Sequence, residues 1–266
     1  MIASLGMYDL PWLHAANDKM WRVIADYLRA DGVQAVPADL TRDLDLHALW
    51  RSPNLLLAQT CGYPLMRELK GHVALLATPH YAAEGCDGPY HRAAILVRED
   101  DAATDIPALK GRRVGINDRR SNSGMNLLRD AVAPHADGAP FFASVQVTGS
   151  HANSVAALLA GAIDVAAIDC VTLAHLRTHS PEEASRLRIL AWTQAVPGLP
   201  LILSVAQAHH ADQLLAALRH TSMDPAGQAS LDALRIDGFS ALGWDDYAVI
   251  PTIEQRATER GYPVLQ

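Results

Sequence analysis

The sequence predicts an α/β fold in two lobes, and three observations lead there. Short apolar, β-branched runs alternate with stretches whose apolar residues recur at three- and four-residue steps. Several of those runs are continuously apolar, which suits strands covered on both faces. Two stretches rich in Gly, Pro and small residues, "ATPHYAAEGCDGPYHR" (77–92) and "TQAVPGLP" (193–200), each lead directly into a strand.

In chain order, a strand is expected at Ile2–Gly6. A helix follows in "WLHAANDKMWRVIADYLRADG", where Leu13, Ala16, Met20, Trp21, Ile24 and Leu28 share a face and Gly32 supplies the stop. Strands are then expected at Leu55–Gln59, Val73–Thr78, Ala93–Val97 and Arg113–Ile116, before a helix in "MNLLRDAVAPH". The strand Ala143–Val147 leads to a helix in "SVAALLAGA". Strands Val165–Ile168, Arg188–Trp192 and Leu201–Val205 come next, followed by helical patterns in "ADQLLAALRH" and "SLDALRI". Such alternation implies parallel sheets covered by helices on both faces. The two breaks divide the chain into an inserted lobe, 94–202, and a discontinuous lobe of 1–93 plus 203–266. An insertion of this kind produces two crossover strands and a cleft, a favoured place for a ligand.

Composition narrows the function. The 266 residues are 50% hydrophobic and 19% charged, with a formal net charge of −7. A nucleic-acid partner would want a basic face, so none is expected. No apolar run reaches the roughly 18 residues of a membrane span, so no direct insertion is expected. The opening "MIASLGMYDLPW" has no basic, apolar leader pattern. That leaves the cytoplasm if no signal peptide exists, and the periplasm or another extracytoplasmic space if one has been removed. Cys61, Cys86 and Cys170 lie far apart and form no metal-ligand spacing. A disulfide framework is not expected, and neither a metal nor another cofactor is implied.

The candidate chemistry lies where strands meet helices. "GINDRRSNSGMNLLRD" (115–130) sets Ser121, Asn122, Ser123 and Gly124 at a helix start after a strand. Ser and Asn cap free N–H groups there, and the same N–H groups bind phosphate- or carboxylate-like anions. "VQVTGSHANSVAALLAG" (145–161) repeats the arrangement with His151 at the helix start, where the dipole favours a neutral imidazole. "GAIDVAAIDC" (161–170) ends a strand at Asp169, which either meets a ligand or caps the next turn. On the other lobe, Tyr8 ends "LGMYD", and "LLLAQTCGYP" runs into Thr60, Cys61, Gly62 and Tyr63. Tyr90 stands before a crossover strand. Tyrosines at a cleft wall off an organic group and offer one hydroxyl each.

In order and spacing, "LKGRRVGIND", "DRRSNSG", "TGSH", "IDVAAIDC" and "YHRAAILVRED" resemble the substrate-binding proteins of phosphonate and phosphate ABC transporters, the PhnD-like group. The resemblance runs from "LGMYD" to about residue 204. It implies a type 2 periplasmic-binding fold: two Rossmann-like lobes joined by two hinge strands, closing on a ligand. It also implies an oxyanion held at Ser121–Gly124, with His151, Asp169 and Tyr90 at further ligand positions, and a membrane permease as partner. Arg119, Asn122 and Ala93 stand where the family pattern carries Pro, Thr and Ser. Arg119 and Arg120 either strengthen the anion site or face solvent. The expected function is that of a non-enzymatic solute-binding protein. The alternative is a cytoplasmic enzyme of menaquinone- or thiamine-precursor chemistry on the same fold, in which Ser123, His151 and Asp169 would form a triad.

Overall fold

A computed structural model describes all residues, Met1–Gln266. Twelve strands follow along the chain: β1 (Ile2–Ser4), β2 (Leu55–Gln59), β3 (Val73–Tyr81), β4 (Tyr90–His91), β5 (Ala93–Arg98), β6 (Arg113–Ile116), β7 (Ser144–Val147), β8 (Val165–Asp169), β9 (Leu187–Trp192), β10 (Val196–Pro197), β11 (Leu201–Ser204) and β12 (Ile236–Ser240). They belong to two compact units. One comprises Met1–Ala82 with Gly198–Asp246, the other Ala83–Pro197 with Tyr247–Gln266. No helix is long and apolar enough to cross a membrane.

The first unit holds a five-stranded sheet in the order β1-β2-β11-β3-β12. β1 and β2 are parallel, β11 runs antiparallel to β2 and β3, and β12 pairs antiparallel with β3. The helix His14–Ala30 buries Met20, Trp21, Ile24 and Leu28 of the stripe read from the sequence, together with Ala25, while Ala16 is only partly buried and Leu13 is buried just before the helix. It packs against the helices Ala211–Thr221 and Pro225–Ala233. Gly32, at φ +83°, takes the left-handed turn that ends it.

The second unit holds a sheet in the order β7-β6-β8-β5-β9, with β6 parallel to both β7 and β8. β5 is antiparallel to β8 and β9, and β4 and β10 form a separate antiparallel ribbon. Its core gathers Ala94, Leu96, Val155, Leu158, Ile163, Ala166, Ile168 and Leu173.

Three features depart from the sequence expectation. The sheets are mixed rather than parallel: β5 runs antiparallel to β8 and β9, and β11 runs antiparallel to β2 and β3. β12 was not expected, since "IDGFS" carries Asp and Gly and has little strand propensity of its own. Its pairing with β3 overrides that weakness. Finally, Tyr247–Gln266 belong to the second unit, not with the discontinuous lobe of 1–93 and 203–266. Tyr247, Ile250, Ile253, Ala257, Tyr262 and Leu265 are buried there. Arg256 donates two hydrogen bonds to Asp130, at 2.8 and 2.5 Å, and Arg129 reaches the Pro263 carbonyl at 2.7 Å. The unit boundaries at 82/83 and 197/198 also differ from the expected 93/94 and 202/203.

Asp164, just before β8, ties this sheet together electrostatically. Its carboxylate accepts from the Arg113 backbone N–H and, in fork geometry, from the Arg113 guanidinium at 3.0 and 2.7 Å. That pairing holds its pKa far below the ordinary carboxylate value. A depressed carboxylate adds stability above its unfolded pKa, near 3.9, and loses it as the pH falls below that value. Asp164→Asn is therefore expected to melt lower than the parent at pH 7, with the gap narrowing as the pH falls below about 4. Melting curves across pH check this; a gap that stays constant or widens on acidification would reject it.

Candidate functional site

Topology decides where the second unit exposes its functional groups. β6, β7 and β8 are parallel, so the turns that follow them gather at one edge of the sheet. Ser121–Gly124 follow β6, His151 follows β7, and Asp169 closes β8. β5 runs the other way with Ala93 opposite Asp169, which brings Tyr90, His91 and Arg92 to the same edge.

The turn after β6 is built as the sequence suggested, with one refinement. Ser121 is the N-cap, its Oγ accepting from the Gly124 N–H at 3.0 Å. Asn122–Asn126 then form a π-helical turn that passes into the helix Leu127–Val132. Single π turns widen the helix and are frequent at functional sites. Gly124 is required by close approach. A Cβ there would lie 1.9 Å from Asn117 Oδ1 and 3.2 Å from the His151 ring.

Ser123 Oγ lies 3.0 Å from His151 Nε2. His151 opens the helix His151–Leu159, whose N-cap Ser150 accepts from Asn153 N–H. Burial pushes the His151 pKa below its usual value, so the ring is neutral and carries one N–H. The largest cause of that shift is desolvation, not the helix dipole argued from the sequence. A histidine N–H, a serine hydroxyl and the N–H groups of a helix start together form a donor-rich setting for an anion.

Asn122 is placed differently. Its Oδ1 accepts from Asn126 Nδ2 at 3.0 Å, and Asn126 Oδ1 accepts from Arg129 at 2.7 Å. The amide is thus wired into a buried network reaching the C-terminal segment, where Arg129 meets the Pro263 carbonyl. Arg119 and Arg120 are exposed, and Arg120 turns to Asp118.

Asp169 is buried and committed. Its Oδ1 caps the helix Cys170–His179 through Val171 and Thr172 N–H, and its Oδ2 lies 3.0 Å from His91 Nδ1. Burial works to lower the His91 pKa, but the hydrogen bond and charge of Asp169 outweigh it and the net shift is upward. The carboxylate that would complete a serine–histidine–aspartate relay is therefore engaged with His91. His91, Asp169 and Cys170 present ligand-type atoms within 4.8 Å of one another, a cluster the cysteine spacings did not reveal. Tyr90 is 39% exposed and lines a cavity of about 410 Å³ with Gly85, Cys86, Asp87, Arg92, Trp192 and Ala195.

His91, Arg92 and Trp192 were absent from the sequence candidates. The only signal for His91 is its place beside Tyr90; its meeting with Asp169 depends on the β5–β8 register.

The remaining candidates belong to the first unit. Tyr8 is buried and packs edge-on against Tyr81, with ring centroids 5.2 Å apart. Both line an internal cavity of about 20 Å³, and Gln59 donates to the Tyr81 hydroxyl. Thr60 is fully buried, its N–H bonded to the Pro200 carbonyl. Cys61 precedes the helix Gly62–Glu68, which contains Gly62 and Tyr63, and all three are buried.

Comparison with known proteins follows the same line. A family model described as "ABC transporter, phosphonate, periplasmic substrate-binding protein" matches residues 52–247. No curated protein matches the chain in sequence. Among solved structures, a binding protein component of an ABC phosphonate transporter from Pseudomonas aeruginosa is 17% identical. Its TM-score is 0.74, and the match covers 97% of this chain and 87% of that one. PhnD1 from Prochlorococcus marinus in complex with methylphosphonate is 14% identical, with a TM-score of 0.73 over 92% and 94% of the two chains. A Xanthomonas citri protein bound to ATP is 16% identical, with a TM-score of 0.70 over 93% and 95%. These likenesses show the fold, an α/β fold of the type 2 periplasmic-binding class.

Proposed function

The chain belongs to the periplasmic substrate-binding proteins of phosphonate ABC transporters, and from that membership we propose that it captures a small phosphonate- or phosphate-like oxyanion. The family role is solute binding rather than catalysis, and it implies an ABC permease as partner. The proposed ligand site is the second unit's sheet edge at Ser121–Gly124, with His151 beside it.

The observation that carries the reading is the Ser123–His151 pair at the start of the π-helical turn. Polar donors gather there, and a net charge of −7 does not prevent local anion capture. Hydrogen bonds to a charged ligand contribute about 1.5–3 kcal/mol each, so a few of them outweigh a diffuse repulsion. The ligands of two structural relatives, methylphosphonate and ATP, share a phosphorus oxyanion, which supports this class over a simple carboxylate.

Calorimetry with methylphosphonate, phosphate, phosphite, sulfate and acetate is the test. The expected result is measurable heat for at least one phosphorus oxyanion and weaker or no binding of acetate. Uniformly flat titrations of ligand-free protein would refute the proposal.

A further inference from the structure

Although distant in sequence, Cys86 and Cys170 lie with their Sγ atoms 3.3 Å apart. Each is held by its backbone. The Cys86 N–H donates to the Ala83 carbonyl and the Cys170 N–H to the Arg92 carbonyl. The segment carrying Cys86 is fitted closely against its partner at Gly85, which has φ +94°. A Cβ at position 85 would lie 3.0 Å from Cys170 Cβ and 2.7 Å from the Trp192 ring. Only glycine lets the chain press this near while taking a left-handed turn. Asp87 and Tyr90 then exchange backbone hydrogen bonds that fix the loop beyond.

We propose that Cys86 and Cys170 are a disulfide-forming pair, closed by exchange with a small oxidised disulfide such as oxidised glutathione. The sulfurs need to close by only about 1.3 Å to reach a bond of about 2.0 Å. The family is periplasmic, and disulfides persist in that compartment. The bridge ties the wall of the 410 Å³ cavity, where Cys86 lies, to the first residue of the helix capped by Asp169.

The order of events follows from exposure. Cys86 is only partly buried and lines the cavity, whereas Cys170 is buried and its thiol is pushed up by the Cys86 hydrogen bond and by burial. The Cys86 thiolate attacks one sulfur of the oxidant, forming a mixed disulfide and releasing one glutathione thiolate. The Cys170 sulfur, losing its proton, then attacks Cys86 Sγ and expels the rest as a second glutathione thiolate. Both cysteine protons end on the two released glutathione thiols. The protein is oxidised by two electrons, and the oxidant is reduced by the same two.

A metal site would use Cys170 with His91 and Asp169. The disulfide is the better reading because His91 and Asp169 pair with each other at 3.0 Å and leave the sulfurs face to face.

The test incubates the whole folded chain with oxidised glutathione, then denatures it and titrates free thiols. Of three cysteines, one is expected to remain titratable, with a peptide map joining Cys86 to Cys170 and dithiothreitol restoring all three. Cys86→Ser and Cys170→Ser are each expected to lack the internal bridge. Three free thiols with an unchanged intact mass would overturn the proposal, as would a bridge through Cys61. Reduced protein that retains chelator-removable zinc on these thiols would overturn it too. The parent's peptide map decides the matter even if either variant fails to fold.

Discussion

Ser123→Leu is expected to lower affinity for the preferred phosphorus oxyanion by at least two orders of magnitude, measured by calorimetry. Position 123 is 6% exposed, so a leucine fills space that the hydroxyl only lines. It removes the His151 contact at 3.0 Å and places branched carbons against the helix start. The lost hydrogen bond to a charged ligand accounts for about 1.5–3 kcal/mol, roughly ten- to a hundredfold, and occlusion adds to it. Ser123→Ala separates the two effects. It keeps the Ser121 cap and leaves space, so it is expected to fold normally and to bind about ten- to a hundredfold more weakly. Parent-like affinity in both variants, with heat still present in the parent, would show that the turn is a cap and that the ligand sits elsewhere.

How legible this site is in the sequence depends on how local each part is. β2 and β6 match their expected limits because they are short, nearly continuous apolar runs bounded by turns. Ser121, Ser123, Gly124 and His151 stand at strand–turn–helix junctions, where capping chemistry is written in a few consecutive residues. The structure brings these together at one sheet edge. Asn122 shows the limit of such reading. Its amide is drawn into the Asn126–Arg129 network by a segment more than a hundred residues further on. His91 is similar, because only the pairing of Ala93 with Asp169 sets it beside the carboxylate. The Cys86–Cys170 contact likewise spans 84 positions and leaves no spacing signature. The helix Val249–Glu259 was not expected from the sequence, although Ile250, Ile253 and Ala257 stand at helical steps. Which unit that face covers is a tertiary fact.

That C-terminal segment carries the largest stability prediction. Tyr262 is 1% exposed, and its hydroxyl bonds the Gln266 main-chain oxygen, which also accepts from Phe141 and Phe142 N–H at 2.8 and 3.0 Å. One side chain therefore holds the segment's end against the sheet. Burial raises its pKa, so the phenol stays protonated and remains a donor at neutral pH. Replacing a fully buried aromatic ring by alanine costs about 3–5 kcal/mol through lost transfer energy and the residual cavity. Tyr262→Phe keeps the ring and loses only the latch, at about 0.5–1.5 kcal/mol. Denaturation followed by a probe in the second unit is expected to show that order. The consequence reaches the ligand site, because Arg129 bonds the adjacent Pro263 carbonyl and, through Asn126, steadies Asn122. Tyr262→Ala is thus expected to weaken oxyanion binding as well, although the residue lies outside the turn. A variant with parent stability would show that the segment is not held by its buried ring. A variant that is destabilised yet binds with full affinity would show that the π-helical turn keeps its geometry without the brace.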